Sequence, residues 1–298
     1  MTTRPDGPQS RPTRRSILRT AAVLSAAGAA GGLPATTSGE EPGQAAATRG
    51  RLQQSVCRWC YAKVPLDDLC TAAGRMGLVG IDLLTPADFP TLKTHGLVCT
   101  MTSSHPLSDG LCDPKFHDAA LKAIHAAVEA TAKEGWKNVI CFSGNSRGID
   151  RETGMSNCVK ALKEVVPAAE KAGVVIQMEL LNSKVNHKDY MCDNSSWGVE
   201  LVKRVGSGHF KLLYDIYHMQ IMEGDVIRTI EANREFYGHY HTGGNPGRHE
   251  IDDTQELNYR RIARAIADLG FKGYVAHEFI PVREPLASLR EAVTLCNV

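Results

Sequence analysis

Val174-Val175-Ile176-Gln177-Met178-Glu179 is a short, nearly continuous apolar run that ends on a carboxylate. The chain repeats this pattern in Phe210-Lys211-Leu212-Leu213-Tyr214-Asp215, Phe236-Tyr237-Gly238-His239-Tyr240-His241 and Tyr274-Val275-Ala276-His277-Glu278. Runs of this length and apolarity predict parallel strands buried on both faces. A titratable group closing each run stands at the carboxyl end of its strand, and in a β/α barrel those ends share one mouth. Glu179, Asp215, His241 and Glu278 are thereby predicted to converge.

A single acid at a strand end is ordinarily a solvated loop residue or a helix cap. Four such residues at intervals of 36, 26 and 37 positions, about one βα unit each, point instead to a shared site. Three carboxylates buried together without a cation would resist joint ionisation, and a divalent ion removes the conflict. Oxygen-rich ligation with one imidazole suits Mn²⁺ or Mg²⁺, and the nitrogen also admits Co²⁺. A structural zinc site would carry more sulfur or imidazole.

Working outward, strand-like runs are expected at 55–61, 79–84, 97–101, 137–143, 173–181, 210–215, 235–241 and 272–278. Helical patterns lie between them, such as 114–134 with Phe116, Ala119, Ala120, Ala123, Ala127 and Ala130 at helical spacing. Eight alternating units predict an α/β fold, a single (β/α)8 TIM barrel over 51–298. Asp113 before Pro114, and Ser156, are the expected helix caps. Polar segments at 103–114, 143–156, 181–196 and 242–258 are the expected loops of the active face.

The chain has 298 residues, 43% of them hydrophobic, and a net charge of +1. It can bury one large core, and no sustained positive field supports a nucleic-acid partner. Thr13-Arg14-Arg15-Ser16-Ile17-Leu18-Arg19 followed by the 13-residue run AAVLSAAGAAGGL reads as a twin-arginine export leader over 1–50. Ala45-Ala46-Ala47 is the expected cleavage site, and a periplasmic or exported location follows. The run falls short of the roughly 20 residues a spanning helix needs, so no permanent membrane anchor is expected. The nine cysteines are odd in number and unevenly spaced, and read as small core residues rather than a disulfide framework. Cys57-Arg58-Trp59-Cys60 falls in the first expected strand, where positions three apart face opposite ways.

Several runs carry a resemblance. They are Met178-Glu179-Leu180-Leu181-Asn182, His187-Lys188-Asp189-Tyr190, Tyr214-Asp215-Ile216-Tyr217-His218-Met219-Gln220, Gly238-His239-Tyr240-His241, Asn245-Pro246-Gly247-Arg248-His249-Glu250, Leu257-Asn258-Tyr259 and His277-Glu278-Phe279. The chain resembles the xylose isomerase-like barrels, and within them the hydroxypyruvate isomerase-like and ketose 3-epimerase-like branches. The resemblance covers most of 173–282, with a looser match in element order over 55–172. It implies that Glu179, Asp215, His241 and Glu278 bind one divalent metal and that Glu179 and Glu278 also move protons. It further implies that His218 and Arg248 contact substrate oxygens. His187, Lys188 and Asp189 lie in the loop after the fifth expected strand, placed either to close over the substrate or to form a solvated charge cluster. His241 followed by Thr-Gly resembles the epimerases, since hydroxypyruvate isomerases can carry Gln there. The 245–250 loop resembles the isomerases.

The implied reaction is isomerisation of a small keto acid or ketose through a cis-enediolate, hydroxypyruvate to tartronate semialdehyde foremost. Ketose 3-epimerisation is the alternative, and a keto-inositol dehydratase or oxidised-glycoside lyase on the same barrel is a further one. Arg147 and the aromatic pair Trp59 and Tyr61 are secondary site candidates. A homo-oligomer is compatible with the composition.

Overall fold

The computed structural model describes residues 50–298; the expected leader and its cleavage site lie outside the described residues. Eight parallel strands close into a barrel in sequence order: β1 Gln53–Cys57, β2 Gly80–Leu84, β3 Val98–Thr102, β4 Asn138–Cys141, β5 Val175–Glu179, β6 Phe210–Asp215, β7 Tyr237–Thr242 and β8 Tyr274–His277. The helices are α1 Leu66–Met76, α2 Phe89–Thr94, α3 His117–Lys133, α4 Arg151–Ala172, α5 Ser195–Val205, α6 Ile216–Met222, α7 Val226–Asn233, α8 Tyr259–Asp268 and α9 Pro285–Cys296. Among the described residues no helix is long and apolar enough to cross a membrane.

The apolar runs are strands because both of their faces are covered: Ile176, Met178, Phe210, Leu212 and Tyr240 are all buried. The barrel interior also holds polar side chains. Thr100 donates to Asp82 at 2.5 Å, Asn138 to the Thr100 carbonyl at 2.9 Å, and Gln177 to Asn138 at 2.9 Å. Each is wholly or almost wholly buried, so the pairing is what makes its burial tolerable.

Three local expectations are corrected. The first strand ends at Cys57, and 58–61 forms a 3-10 turn, so Cys60 is not a strand residue. The carboxyl end of β1 lies at the barrel mouth, where the turn lifts Trp59 out to 43% exposure while Tyr61 stays buried against Phe279. The fourth helix begins at Arg151, because Asp150 accepts the amides of Glu152 and Thr153. Ser156 is therefore inside α4, and the polar segment expected over 143–156 is a loop only to Asp150. The third helix was expected over 114–134; its α-helical part is His117–Lys133, preceded by a 3-10 turn at Pro114–Phe116. Asp113 does cap that turn through the Lys115 amide. All nine cysteines are free thiols, eight of them buried and Cys60 partly so, as expected for small core residues.

Candidate active site

Glu179, Asp215 and His241 are the residues at or next to the ends of β5, β6 and β7, and Glu278 follows β8 directly. Asp215 and His241 are register partners, which sets them at one height. The four side chains are all buried, and one donor atom from each lies within 4.8 Å of the others. His241 Nδ1 stands 2.6 Å from Glu278 Oε2, 3.3 Å from Glu179 Oε1 and 4.0 Å from Asp215 Oδ2. Neither that nitrogen nor Glu179 Oε1 has an aligned hydrogen-bond partner. The four donor atoms share one small buried space, and three carboxylates with an imidazole fit a hard divalent cation there.

Electrostatics follow from this crowding. Burial, followed by the charge of Glu278, raises the Glu179 carboxyl above its ordinary range. Burial pushes Asp215 up to about 8, with Arg248 opposing and Glu278 adding to the rise. Burial works against the charge of Glu278 too, but the Arg248 guanidinium and His241 outweigh it and hold that carboxyl well below its usual range.

Asp215 has two tasks. Its Oδ1 accepts the His218 amide at 3.0 Å and caps α6, which starts without a loop, so Oδ2 is left for the site. The cap places His218 beside it, its Nε2 3.7 Å from Asp215 Oδ2. His218 is buried, and burial, reinforced by Arg248, keeps the imidazole well below its ordinary pKa and hence neutral. Its Nδ1 accepts the Asn182 amide at 3.2 Å, so the proton is on Nε2, which has no other partner.

Arg248 is held at φ 59°, a left-handed conformation unusual for a side-chain-bearing residue. The tight turn before it depends on Gly244, where a Cβ would lie 2.1 Å from the Glu250 carbonyl oxygen. The guanidinium is sandwiched between the rings of Trp59 and Tyr217, at 5.1 and 5.3 Å, and reaches Asp215 Oδ2 at 3.1 Å and Glu278 Oε2 at 2.5 Å. Trp59 donates its indole N–H to the other Glu278 oxygen at 2.6 Å.

His187 lies at the rim, its ring 5.1 Å from that of His218. Lys188 is exposed and makes no hydrogen bond or ion pair among the described residues, so the structure does not draw it into the site. Arg147 is a loop staple: it pairs with Asp109 at 2.6 Å, bonds the Ser108 carbonyl and stacks on Phe116, while Asp189 accepts its amide. Tyr61, a core residue, is likewise no part of the site.

Asp82 was missed. It is an acid in the middle of the apolar strand Gly80-Ile81-Asp82-Leu83-Leu84, wholly buried and 2.9 Å from His241 Nε2. A charge inside such a run was the available signal.

The family model described as xylose isomerase-like TIM barrel matches residues 91–296. The chain is 26% identical over 243 residues to 2-oxo-tetronate isomerase of Haemophilus influenzae, covering 77% of this chain and 93% of that protein. It is 25% identical over 234 residues to hydroxypyruvate isomerase of Escherichia coli, covering 73% and 89%. A similar solved structure, 3-keto-D-glucoside 4-epimerase from Escherichia coli, superposes with a TM-score of 0.70 at 19% identity over 82% of this chain and 98% of that one. The barrel, with its acids and imidazole gathered at the carboxyl ends of the strands, and the match over 91–296 agree: the chain belongs to the xylose isomerase-like TIM barrel family.

Proposed function

We propose that the chain is an isomerase that interconverts a short 2-keto acid with its aldehyde isomer, hydroxypyruvate with tartronate semialdehyde, by moving one proton between adjacent carbons. The observation that carries this reading is the pair of buried glutamates, Glu179 and Glu278, flanking Asp215 and His241 in one cluster. Relatives named as hydroxypyruvate and 2-oxo-tetronate isomerases support the substrate class.

Glu179, Asp215, His241 and Glu278 would hold a divalent ion, Mn²⁺ or Mg²⁺. When bound, such an ion supplies Lewis-acid polarisation of a carbonyl and so acidifies the neighbouring C–H. One glutamate takes the proton from the hydroxymethyl carbon, and the C–H electron pair becomes the C=C bond of a cis-enediolate. The Arg248 guanidinium and the His218 Nε2–H meet the charge that develops on its oxygens. A glutamate then returns a proton to the former carbonyl carbon, and a second proton passes between the two oxygens, so the net change is isomerisation.

A second reading is C-3 epimerisation of a ketose, in which the proton returns to the opposite face of the same carbon. It is favoured by His241 and by 31% identity over 133 residues to D-psicose 3-epimerase of Ruminiclostridium cellulolyticum, 45% of this chain. NMR of Mn²⁺-loaded protein in D₂O with hydroxypyruvate and a panel of ketoses separates the two. A new aldehyde from hydroxypyruvate with deuterium on the receiving carbon is expected; label at C-3 of a ketose without change of constitution would establish the second reading. No label in any substrate would sink both.

Trp59→Phe removes the indole N–H from a charged Glu278 oxygen. A bond of that kind contributes about 1.5–3 kcal/mol, which corresponds to a loss of about tenfold to a hundredfold in kcat. Steady-state kinetics on the purified variant check it.

A further inference from the structure

We infer that Asp82 is the positioning residue for His241: its carboxylate holds Nε2–H and so turns Nδ1, with its lone pair free, toward Glu179, Asp215 and Glu278. The inference rests on the ion site proposed above and adds to it a residue from the amino-terminal half of the barrel, on a strand that carries none of the four donors.

The geometry is specific at both ends of the ring. Nε2 lies 2.9 Å from Asp82 Oδ2 in hydrogen-bond alignment, and Nδ1 faces the three site carboxylates without such alignment. An imidazole with a carboxylate on one nitrogen carries its proton there, and the other nitrogen is left as the donor atom. Asp82 is in turn fixed. Its Oδ1 accepts the Thr100 hydroxyl at 2.5 Å and faces His239 Nε2 at 3.3 Å, while its Oδ2 also accepts the Cys57 thiol at 3.6 Å. With no exposed surface, the carboxylate has few other orientations open to it.

The backbone of β2 shows an independent sign of the same task. Pairing with β3 slips on both sides of Asp82, between Ile81 and Asp82 and between Asp82 and Leu84, and Leu83 takes φ 59°. A bulge of this sort re-aims a side chain beside an active site, and a left-handed leucine is a conformation that persists only where the surroundings impose it. Toward β1 Asp82 keeps regular register with Cys57, so the irregularity is confined to the β3 side while the carboxylate reaches His241 Nε2.

The test compares Mn²⁺ binding by calorimetry to the unmodified protein and to Asp82→Asn, with melting of both chains measured metal-free. Asparagine keeps the shape and the Thr100 bond but can present N–H to Nε2, which drives the imidazole proton onto Nδ1. Affinity about 10- to 100-fold weaker is expected. Histidine ¹⁵N NMR of the unmodified, Zn²⁺-loaded protein reads the same assignment directly, with the proton on Nε2 of His241 and the metal on Nδ1. Affinity of Asp82→Asn equal to that of the unmodified chain, or a spectrum with the proton on Nδ1, would overturn the inference; if Asp82→Asn does not fold, the spectrum decides. A failure of the unmodified protein to bind Mn²⁺ at all would instead overturn the ion site itself.

Discussion

Glu179→Gln and Glu278→Gln are each expected to lower kcat by about 10²- to 10⁴-fold, the contribution a positioned acid or base makes to proton transfer. Glutamine keeps the volume and one oxygen donor but cannot carry a proton between carbons. The variants should be assayed at saturating Mn²⁺, since each also removes a charge from the cluster. The decisive readout is deuterium exchange into the substrate from D₂O, which reports the first proton transfer even where the product is not released. Full exchange in both variants would remove the glutamates from proton transfer and reduce them to holding the ion. The two need not be affected equally: Glu278 is tied by Trp59 and Arg248, whereas Glu179 Oε1 has no hydrogen-bond partner.

Stripping the metal is the second large effect. Chelation is expected to abolish turnover and to lower the melting midpoint by about 5–10 °C relative to protein at a hundredfold excess of ion over Kd, since such an excess stabilises by about 2.7 kcal/mol. The gap should depend on pH with a definite sign. Asp215, at about 8 in the folded chain against an ordinary 3.8, binds more proton folded than unfolded across that interval. Metal-free stability attributable to it therefore falls as pH rises from about 4 to about 8. Ion binding needs the ionised carboxylate, so the difference between loaded and metal-free midpoints widens from pH 6 to pH 8.5. Glu278 is displaced the other way, and its contribution is lost only as pH falls below its ordinary 4.5, outside this window. Scanning calorimetry of both forms at the two pH values measures the slope. A gap that narrows with rising pH would contradict a site built on a reluctant Asp215.

Much of the site was legible because β/α barrels convert a linear rule into a spatial one. A side chain at the carboxyl end of a strand is at the mouth whichever strand carries it, so Glu179, Asp215, His241 and Glu278 could be grouped without knowing a single contact. Arg147 shows where the rule stops. It stands in a mouth loop like a substrate contact, but its positive φ of 49° and its pairing with Asp109 make it part of the loop framework. Ser156 fails for a different reason: Asp150, six residues earlier, already satisfies the first free amides of the helix, and nothing in Ser156 itself reveals that it has been pre-empted.

By itself the sequence determined the strand periodicity, the number of βα units and the residue types at four strand ends, since these depend on local patterning and on the sheer cost of burying like charges. Only the tertiary structure decided what surrounds them. Trp59 on Glu278, Asp82 on His241 and the Arg248 sandwich between Trp59 and Tyr217 join residues separated by 219, 159 and up to 189 positions. No periodicity encodes such pairs. They exist because closure of β8 on β1 brings the carboxyl ends of the first and last strands to the same mouth, and because a buried acid on β2 reaches across the barrel to a ring on β7.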